Sequence, residues 1–248
     1  MIPRGASVGA RQPHVPPPAP PTNSLLLHFD SSQLDEVSQE VFTGGSPTYA
    51  AGVFGTGVRS SSEFAGAVAG AWSEALSIGT QPFTIEFRAR FEVEEDDGGI
   101  LIAKNYWASE PSGSAFALDW QVSVGPGFIR LDWSELGGAG SPEGVHVPLG
   151  SSSAWRAFAI TDDGVNLRFY VNGARVYEGG SVQLSGTIPG VSGARVSLYN
   201  ALQGFSGPYP IWGWSTLFSG WVDELRLTLG EALYTGASYT LATQPFSL

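Results

Sequence analysis

The densest group of ionisable side chains in this 248-residue chain is the acidic run Glu92-Val93-Glu94-Glu95-Asp96-Asp97. Two carboxyl groups about 5 to 9.5 Å apart can hydrolyse a glycosidic bond, and alternate residues of a strand lie on one face. The run lacks the final glutamate that such a catalytic strand needs, and it continues directly into Gly98-Gly99. We therefore interpret it as a solvated hairpin turn, with a calcium site and a catalytic pair as alternatives.

The sequence evidence for any other catalytic, metal-binding or phosphate-binding motif is weaker still. The chain has no cysteine, which excludes disulfides, thiolate nucleophiles and cysteine-bound zinc. Its three histidines, His14, His28 and His146, are too scattered for a zinc site, and no G-x-S-x-G nucleophile motif is present. The glycine-rich stretch at residues 137–140 precedes no Lys-Ser or Lys-Thr pair, so a phosphate-binding loop is not expected. We predict that the protein is not an enzyme.

One loop contains a weak candidate for a calcium site. Asp30, Asp35 and Glu36 can each supply an oxygen ligand, which is the ligand type that calcium prefers. The same spacing of acids is common in solvated loops, where the side chains bind only water. We expect no other cofactor.

Aromatic residues are the better candidates for ligand contact. The chain has eight Trp, eight Tyr and 14 Phe, and we assign most of them, including Trp155, Phe169 and Trp221, to the core. Exceptions are those that lie among Gly, Pro and Ser without strand alternation, where a ring can stack on a sugar or anchor a protein. They are Tyr106, Trp107, Tyr209, Trp212 and Trp214. For Trp212 and Trp214 the alternative is that they cover one end of the core.

Charge narrows the choice of partners. Twelve Lys and Arg against 23 Asp and Glu give a net charge of −11. Nucleic acids and anionic membranes are recognised through clustered basic residues, which this chain lacks, so neither is an expected partner. No apolar run approaches the length needed to span a bilayer, and we expect no secretory signal.

Residues 1–23 have the composition of an extended arm. Seven of the 17 prolines lie in residues 1–22, and the larger apolar side chains there are only Met1, Ile2, Val8 and Val15. Such composition favours polyproline II or disorder, and a proline-rich segment can lie across a neighbouring chain without unpaired amide groups. We expect the arm to bind an equivalent subunit or a shell protein. Its candidate assembly residues are Arg4, Arg11, Pro16, Pro17 and Pro18.

From residue 24 to residue 248 the pattern is that of successive strands. Apolar and polar residues alternate over residues 83–94, which indicates a strand with a buried face and a polar face towards water. The pairs Asp163-Gly164 and Asn172-Gly173 separate three apolar runs and are typical of tight hairpin turns. The prediction is an all-β fold, a two-sheet antiparallel β-sandwich.

The closing strand carries an unusual buried acid. Strict alternation over residues 221–227 places Trp221, Asp223, Leu225 and Leu227 on one face, and Val222, Glu224 and Arg226 on the other. A carboxylate that shares a face with Trp and Leu must be paired or hydrogen-bonded. We expect Arg226 or neighbouring backbone amides to bind Asp223.

Over residues 24–248 the chain resembles the laminin-G-like, concanavalin A-type jelly rolls, especially those of bacteriophage virion proteins. Five blocks stand in the order of that family. They are Ser24-Leu25-Leu26-Leu27-His28-Phe29-Asp30, Phe54-Gly55-Thr56-Gly57-Val58, Phe83-Thr84-Ile85-Glu86-Phe87, residues 155–173, and Gly220-Trp221-Val222-Asp223-Glu224-Leu225-Arg226-Leu227 with Ala232-Leu233-Tyr234.

The resemblance implies a non-enzymatic virion protein, assembled in the host cytoplasm as a capsid decoration or tail-associated module. The arm would attach it to other virion proteins or equivalent subunits, and the jelly roll would contact host-surface glycans. The alternatives are a glycoside hydrolase, which requires an exposed carboxylate pair, and a free-standing lectin, which does not need the arm.

Overall fold

The computed structural model describes residues 23–32, 34–39, 41–44, 47–60, 67–68, 76–91, 99–110, 113–133, 143–184, 195–198, 218 and 220–248. Within these residues 15 β-strands are paired, and every pair is antiparallel. The strands are β1 (Asn23–Leu27), β2 (Thr43–Gly44), β3 (Pro47–Ala51), β4 (Thr56–Ser60), β5 (Ala67–Val68), β6 (Phe83–Phe91), β7 (Gly99–Glu110), β8 (Gly113–Gly125), β9 (Phe128–Trp133), β10 (Glu143–Pro148), β11 (Arg156–Asp162), β12 (Asn166–Val171), β13 (Ala174–Gly180), β14 (Arg195–Leu198) and β15 (Gly220–Leu229).

These strands form two sheets packed face to face. The first sheet has eight strands in the order β13-β12-β11-β6-β15-β4-β3, with β1 paired to β15. The second has seven, in the order β10-β9-β8-β7-β14-β5-β2. One hydrophobic cluster contains side chains of both sheets, which confirms the predicted two-sheet sandwich. In the described part of the chain, no helix is long and apolar enough to cross a bilayer.

Alternation along β6 places one row of its side chains in the core. Its residues at odd positions, from Phe83 to Phe91, are buried in the shared cluster. The register with β11 places Phe158 beside Phe87, and their rings stack with centroids 5.1 Å apart. The period of two in the sequence therefore predicts this strand correctly.

The predicted meander is also confirmed. Strands β11, β12 and β13 follow one another in the first sheet, and the turns between them contain the two expected Xaa-Gly pairs. Gly164 has a φ of 83°, while Asn172 and Gly173 have φ values of 50° and 79°. A hairpin with two consecutive residues at positive φ twists in the same sense as its strands.

The other face of β6 differs from the expectation that it is turned towards water. Thr84, Glu86 and Arg88 are polar, as predicted, but all three are buried. They are covered by the C-terminal segment, defined as residues 231–248, which lies over the outer face of the first sheet and bonds to it. Because this segment has no strand or helix periodicity, its position was not apparent from the sequence.

The predicted faces of β15 are wrong in part. Its pairing with β6 jumps from Asp223 opposite Arg88 to Arg226 opposite Glu86, so two residues of β15 oppose one of β6. This is a β-bulge, and its first residue, Glu224, has a φ of 56°. Leu225 therefore joins Val222 and Leu227 in the core, whereas Asp223 lies on the outer face.

Two of the tryptophans assigned to the core lie elsewhere. Trp155 and Trp221 are half-buried and flank the guanidinium group of Arg90, whose carbon lies 5.4 and 5.7 Å from the two ring centroids. Both contacts are of the cation–π type. Phe169, by contrast, is fully buried as predicted.

Truncation of either Phe87 or Phe169 to alanine is expected to lower the free energy of unfolding by about 3–5 kcal/mol, because each ring fills space between the sheets. Chemical denaturation measures the change. Val165→Ala is the matched control, since Val165 is 70% exposed at a hairpin tip. Equal effects of the core and control substitutions would contradict the sandwich packing at β6 and β12.

Candidate functional site

Most of the predicted contact residues lie outside the described part of the chain. This holds for Tyr209, Trp212 and Trp214, and for the whole arm with Arg4, Arg11, Pro16, Pro17 and Pro18. The acidic run at residues 92–97 also lies outside it. Tyr106 and Trp107 belong to β7, opposite Ala117 and Phe116 of β8, but their side chains are not among those described. These assignments stay predictions.

The calcium candidates are described, and each binds a different part of the chain. Asp35 is buried and accepts hydrogen bonds from the amides of Leu26, Val37 and Ser38, at 2.9, 3.1 and 3.1 Å. Asp30 accepts one from the amide of Thr56 at 2.9 Å. Glu36 lies 3.5 Å from Nε2 of His28. In the described residues, no three His, Asp or Glu side chains are grouped in a way that suits a metal ion.

The best-defined polar site is built around the bulge of β15, and we call it the Asp223–Glu224 corner. The side chain of Asp223 is 0% exposed, and its Oδ2 accepts hydrogen bonds from the amides of Val53 and Phe54 at 2.7 and 2.9 Å. The expectation of backbone amide partners is confirmed, while Arg226 pairs with Glu86 instead. The corner thereby fixes the loop at residues 52–55, between β3 and β4.

Glycine is required at position 52 of that loop because the carboxylate of Asp223 lies so close to the loop backbone. A Cβ atom on Gly52 would stand 2.5 Å from Oδ2 of Asp223 and 2.7 Å from the amide nitrogen of Gly57. Gly55 has a φ of 69°, and a Cβ there would overlap the carboxylate of Asp30. Two blocks of sequence that are far apart, Phe54-Gly55-Thr56-Gly57 and Asp223-Glu224, are therefore parts of one contact.

Glu224 connects two further segments to the same corner. It is 0% exposed, and its Oε1 lies 2.8 Å from Nδ1 of His28, which follows β1. Its Oε2 accepts a hydrogen bond from the amide of Phe246 in the C-terminal segment, also at 2.8 Å. The beginning and the end of the described chain therefore meet at one buried carboxylate.

Burial dominates the electrostatics of this corner. It raises the pKa of Asp223 to about 6, although the amides of Phe54 and Val53 oppose the shift. Burial also raises the pKa of Glu224, against the effects of the Phe246 amide and His28. Within the described residues, Oδ1 of Asp223 has no hydrogen-bond partner, which leaves its charge incompletely compensated.

A second layer of polar contacts holds the C-terminal segment on the first sheet. Glu86 accepts hydrogen bonds from Arg226 and, at 2.5 Å, from the hydroxyl of Tyr234. The ring of Tyr234 stacks on that of Tyr239 with centroids 3.8 Å apart, and burial raises the pKa of both hydroxyls. Phe246 covers the guanidinium group of Arg226 at 4.3 Å. The charged side chains of this face are thus bound by the protein itself.

A polar surface on the second sheet was missed by the sequence reasoning. It is formed by Gln121 and Ser123 of β8, Arg130 and Asp132 of β9, and Gly144 and His146 of β10, and we call it the polar patch. These residues alternate with core residues such as Val122 and Leu131. That alternation was visible in the sequence, whereas the register that places the six residues side by side was not.

Comparison with known proteins establishes the fold. No protein-family model and no curated protein sequence matches the chain. Domain 4 of AbnA, a GH43 extracellular arabinanase from Geobacillus stearothermophilus solved with arabinotriose, matches with a TM-score of 0.57 and 17% identity, over 86% of this chain and 94% of that one.

Two botulinum neurotoxin structures are also similar. The binding domain of serotype C1 matches with a TM-score of 0.56 and 13% identity, over 86% of this chain and 49% of that one. A structure of neurotoxin type C, which interacts with two ganglioside molecules, matches with a TM-score of 0.51 and 13% identity, over 85% of this chain and 48% of that one. The chain thus spans about half of each neurotoxin chain. At such identities the likeness shows a shared β-sandwich.

Replacement of Asp223 by asparagine should remove a pH-dependent destabilisation. The pKa of Asp223 is about 6 in the folded state against an ordinary 3.8, so the folded state binds more protons between these values. Its contribution to the free energy of unfolding therefore falls as pH rises, by up to about 3 kcal/mol in total. Urea denaturation from about pH 4 to 7 should show the stability of Asp223→Asn increasing relative to wild type.

Asp163→Asn is the control, because the pKa of Asp163 is shifted in the opposite direction to that of Asp223. Burial by itself raises the pKa of Asp163, but hydrogen bonds from Arg168 and from the amides of Asn166 and Val165 leave that pKa below its ordinary value. Its stabilisation is present above the ordinary pKa of 3.8 and is lost as pH falls below that value, so this control is measured from about pH 4 down to about pH 2. If both variants followed the wild-type pH profile in parallel, the electrostatic description of the corner would be wrong.

Gly52→Ala should lower the free energy of unfolding by about 1–3 kcal/mol, because the added methyl group meets both a carboxylate and backbone. Gly150→Ala is the matched control, since nothing lies within 4 Å of its added Cβ. We expect the control to be neutral or slightly stabilising, because it only restricts the unfolded chain. Thermal denaturation of the pair separates loop packing from glycine flexibility.

Proposed function

We propose that this chain is a non-enzymatic structural protein of a bacteriophage particle, either a capsid decoration protein or a tail-associated module. Its N-terminal arm attaches it to other virion proteins or to equivalent subunits, and its β-sandwich binds host-surface glycans. The protein is assembled into particles in the host cytoplasm. The order of the five sequence blocks supports this assignment, and so does the sandwich that they form.

The observation that favours binding over catalysis is the state of the buried acids. Glu86, Asp223 and Glu224 are all buried, and their oxygens accept hydrogen bonds from the chain's own side chains and amides. A glycoside hydrolase needs two carboxyl groups that reach the substrate from opposite sides of the bond. These three serve instead to hold a loop, the start of β1 and the C-terminal segment.

Glycan binding is supported at the level of the fold. The arabinanase domain with the same sandwich was solved with arabinotriose, and type C neurotoxin interacts with two ganglioside molecules. A fold alone does not fix a ligand, since one architecture can host many functions. The proposal therefore depends on a surface of this chain that suits a sugar.

The composition of the arm supports its role in attachment. Residues 1–22 contain Arg4 and Arg11 and can bury little apolar surface of their own, so a partner must supply the contacts that order them. β1 pairs with β15 from Asn23 onwards. Removal of residues 1–22 therefore leaves every described strand complete.

The proposal is tested on purified particles. We expect the full chain to be present at a fixed number of copies per particle, measured by quantitative mass spectrometry. A chain beginning at Asn23 should melt at the same temperature as the full chain but should be absent from particles, because the anchor is missing.

Two results would contradict the proposal. One is full occupancy of particles by the truncated chain, which would remove the role of the arm. The other is release of reducing ends from host polysaccharide by the purified full chain, which would favour the hydrolase alternative.

A further inference from the structure

The polar patch has a regular arrangement across three strands. The register of β8, β9 and β10 places Gln121, Asp132 and Gly144 in one row, and Ser123, Arg130 and His146 in the next. Next to the patch, a third row on the same face consists of Gly125, Phe128 and Pro148. Three rows span roughly 13 Å along the strands, and three strands span roughly 10 Å across them. The area suits a short, extended ligand lying along the sheet.

Asp132 organises the first two rows. It is 2% exposed, and its Oδ1 accepts a hydrogen bond from Nε of Arg130 at 2.5 Å, while its Oδ2 accepts one from Nε2 of Gln121 at 3.0 Å. A buried carboxylate between two flat side chains fixes both of their orientations. Oε1 of Gln121 remains an acceptor and the Nη atoms of Arg130 remain donors on the same face of the sheet.

Glycine and an aromatic contact shape the rest of the surface. A Cβ atom on Gly144 would overlap Oδ1 of Asp132 and lie 3.2 Å from the carbonyl oxygen of Leu131, so only glycine fits there. Gly144 is exposed and lies opposite Asp132, whose carboxylate occupies the space above it. His146, also exposed, meets the ring of Phe128 edge to face with centroids 5.1 Å apart, which restricts its imidazole.

This combination of groups matches the chemistry of a sugar. Each sugar hydroxyl both donates and accepts a hydrogen bond, so neighbouring hydroxyls need a donor and an acceptor side by side. Gln121 and Arg130 supply that pair, and the imidazole of His146 supplies a flat face for the apolar side of a ring. Because Asp132 compensates the charge of Arg130, the patch does not select an anion.

We propose that the polar patch is a binding site for a neutral oligosaccharide. Gln121, Arg130 and His146 contact the sugar, and Asp132 and Gly144 position them. The inference rests on the proposed function and gives its glycan contact a location on the second sheet.

The test measures binding of the full-length chain to maltotriose, mannotriose, galactotriose and arabinotriose by titration calorimetry. We expect at least one to bind, with an affinity that does not change in high salt. Gln121→Ala, Arg130→Ala and His146→Ala should each weaken binding by about tenfold or more. His146→Ala removes no bond to Asp132 and should do so without a change in melting temperature, whereas the other two variants also lower stability, so binding is measured well below their melting temperatures. The matched controls are Gln183→Ala and Arg175→Ala, which lie outside the patch and should bind as wild type does.

Each other outcome has a distinct meaning. If a trisaccharide binds wild type and the three patch variants equally, the proposed function stands and the patch is the wrong surface. If only sialyllactose or inorganic sulfate binds, and salt abolishes that binding, the ligand class is wrong. If none of these probes binds, both the patch and the proposed glycan binding are overturned.

Discussion

The rest of the structure depends on two adjacent buried carboxylates, Asp223 and Glu224. An ordinary strand would turn them to opposite faces, but the bulge at Glu224 lets both avoid the apolar core. Each then binds backbone amides from a distant part of the chain: Val53 and Phe54 for the first, Phe246 for the second. A charge buried in this way is destabilising unless such donors are in place, so the loop and the C-terminal segment must fold together with β15.

That constraint explains why the first sheet is covered on both faces. Its inner face packs on the second sheet, and its outer face carries Glu86, Arg88 and Arg226 beneath the C-terminal segment. An irregular segment can lie there only if its backbone groups find partners. Thr84, Thr161 and Tyr170 provide them by hydrogen bonding to residues 231–236. The outer face of the central strands β6, β11, β12 and β15 is therefore occupied by the C-terminal segment.

The sequence predicted those features that depend on local pattern and missed those that depend on register. The alternation around Phe87 and the Asn172-Gly173 turn were sufficient to define strands and a hairpin. The bulge at Glu224 was not apparent, because an extra residue changes faces without changing composition. Asp35 resembled a calcium ligand because its neighbours along the chain are acidic, yet its partners are backbone amides. The pairing of Gln121 with Asp132 required the alignment of two strands.

The two sheets consequently differ in how much of their outer faces is exposed. β1, to which the arm is joined, belongs to the first sheet and pairs with β15 beside the C-terminal segment. The polar patch lies on the outer face of the second sheet, and two packed sheets are separated by about 10 Å. β1 and the polar patch therefore lie on different sheets, on opposite sides of the hydrophobic core. Because residues 1–22 precede β1, the attachment proposed for them would leave the polar patch on the sheet that they do not join.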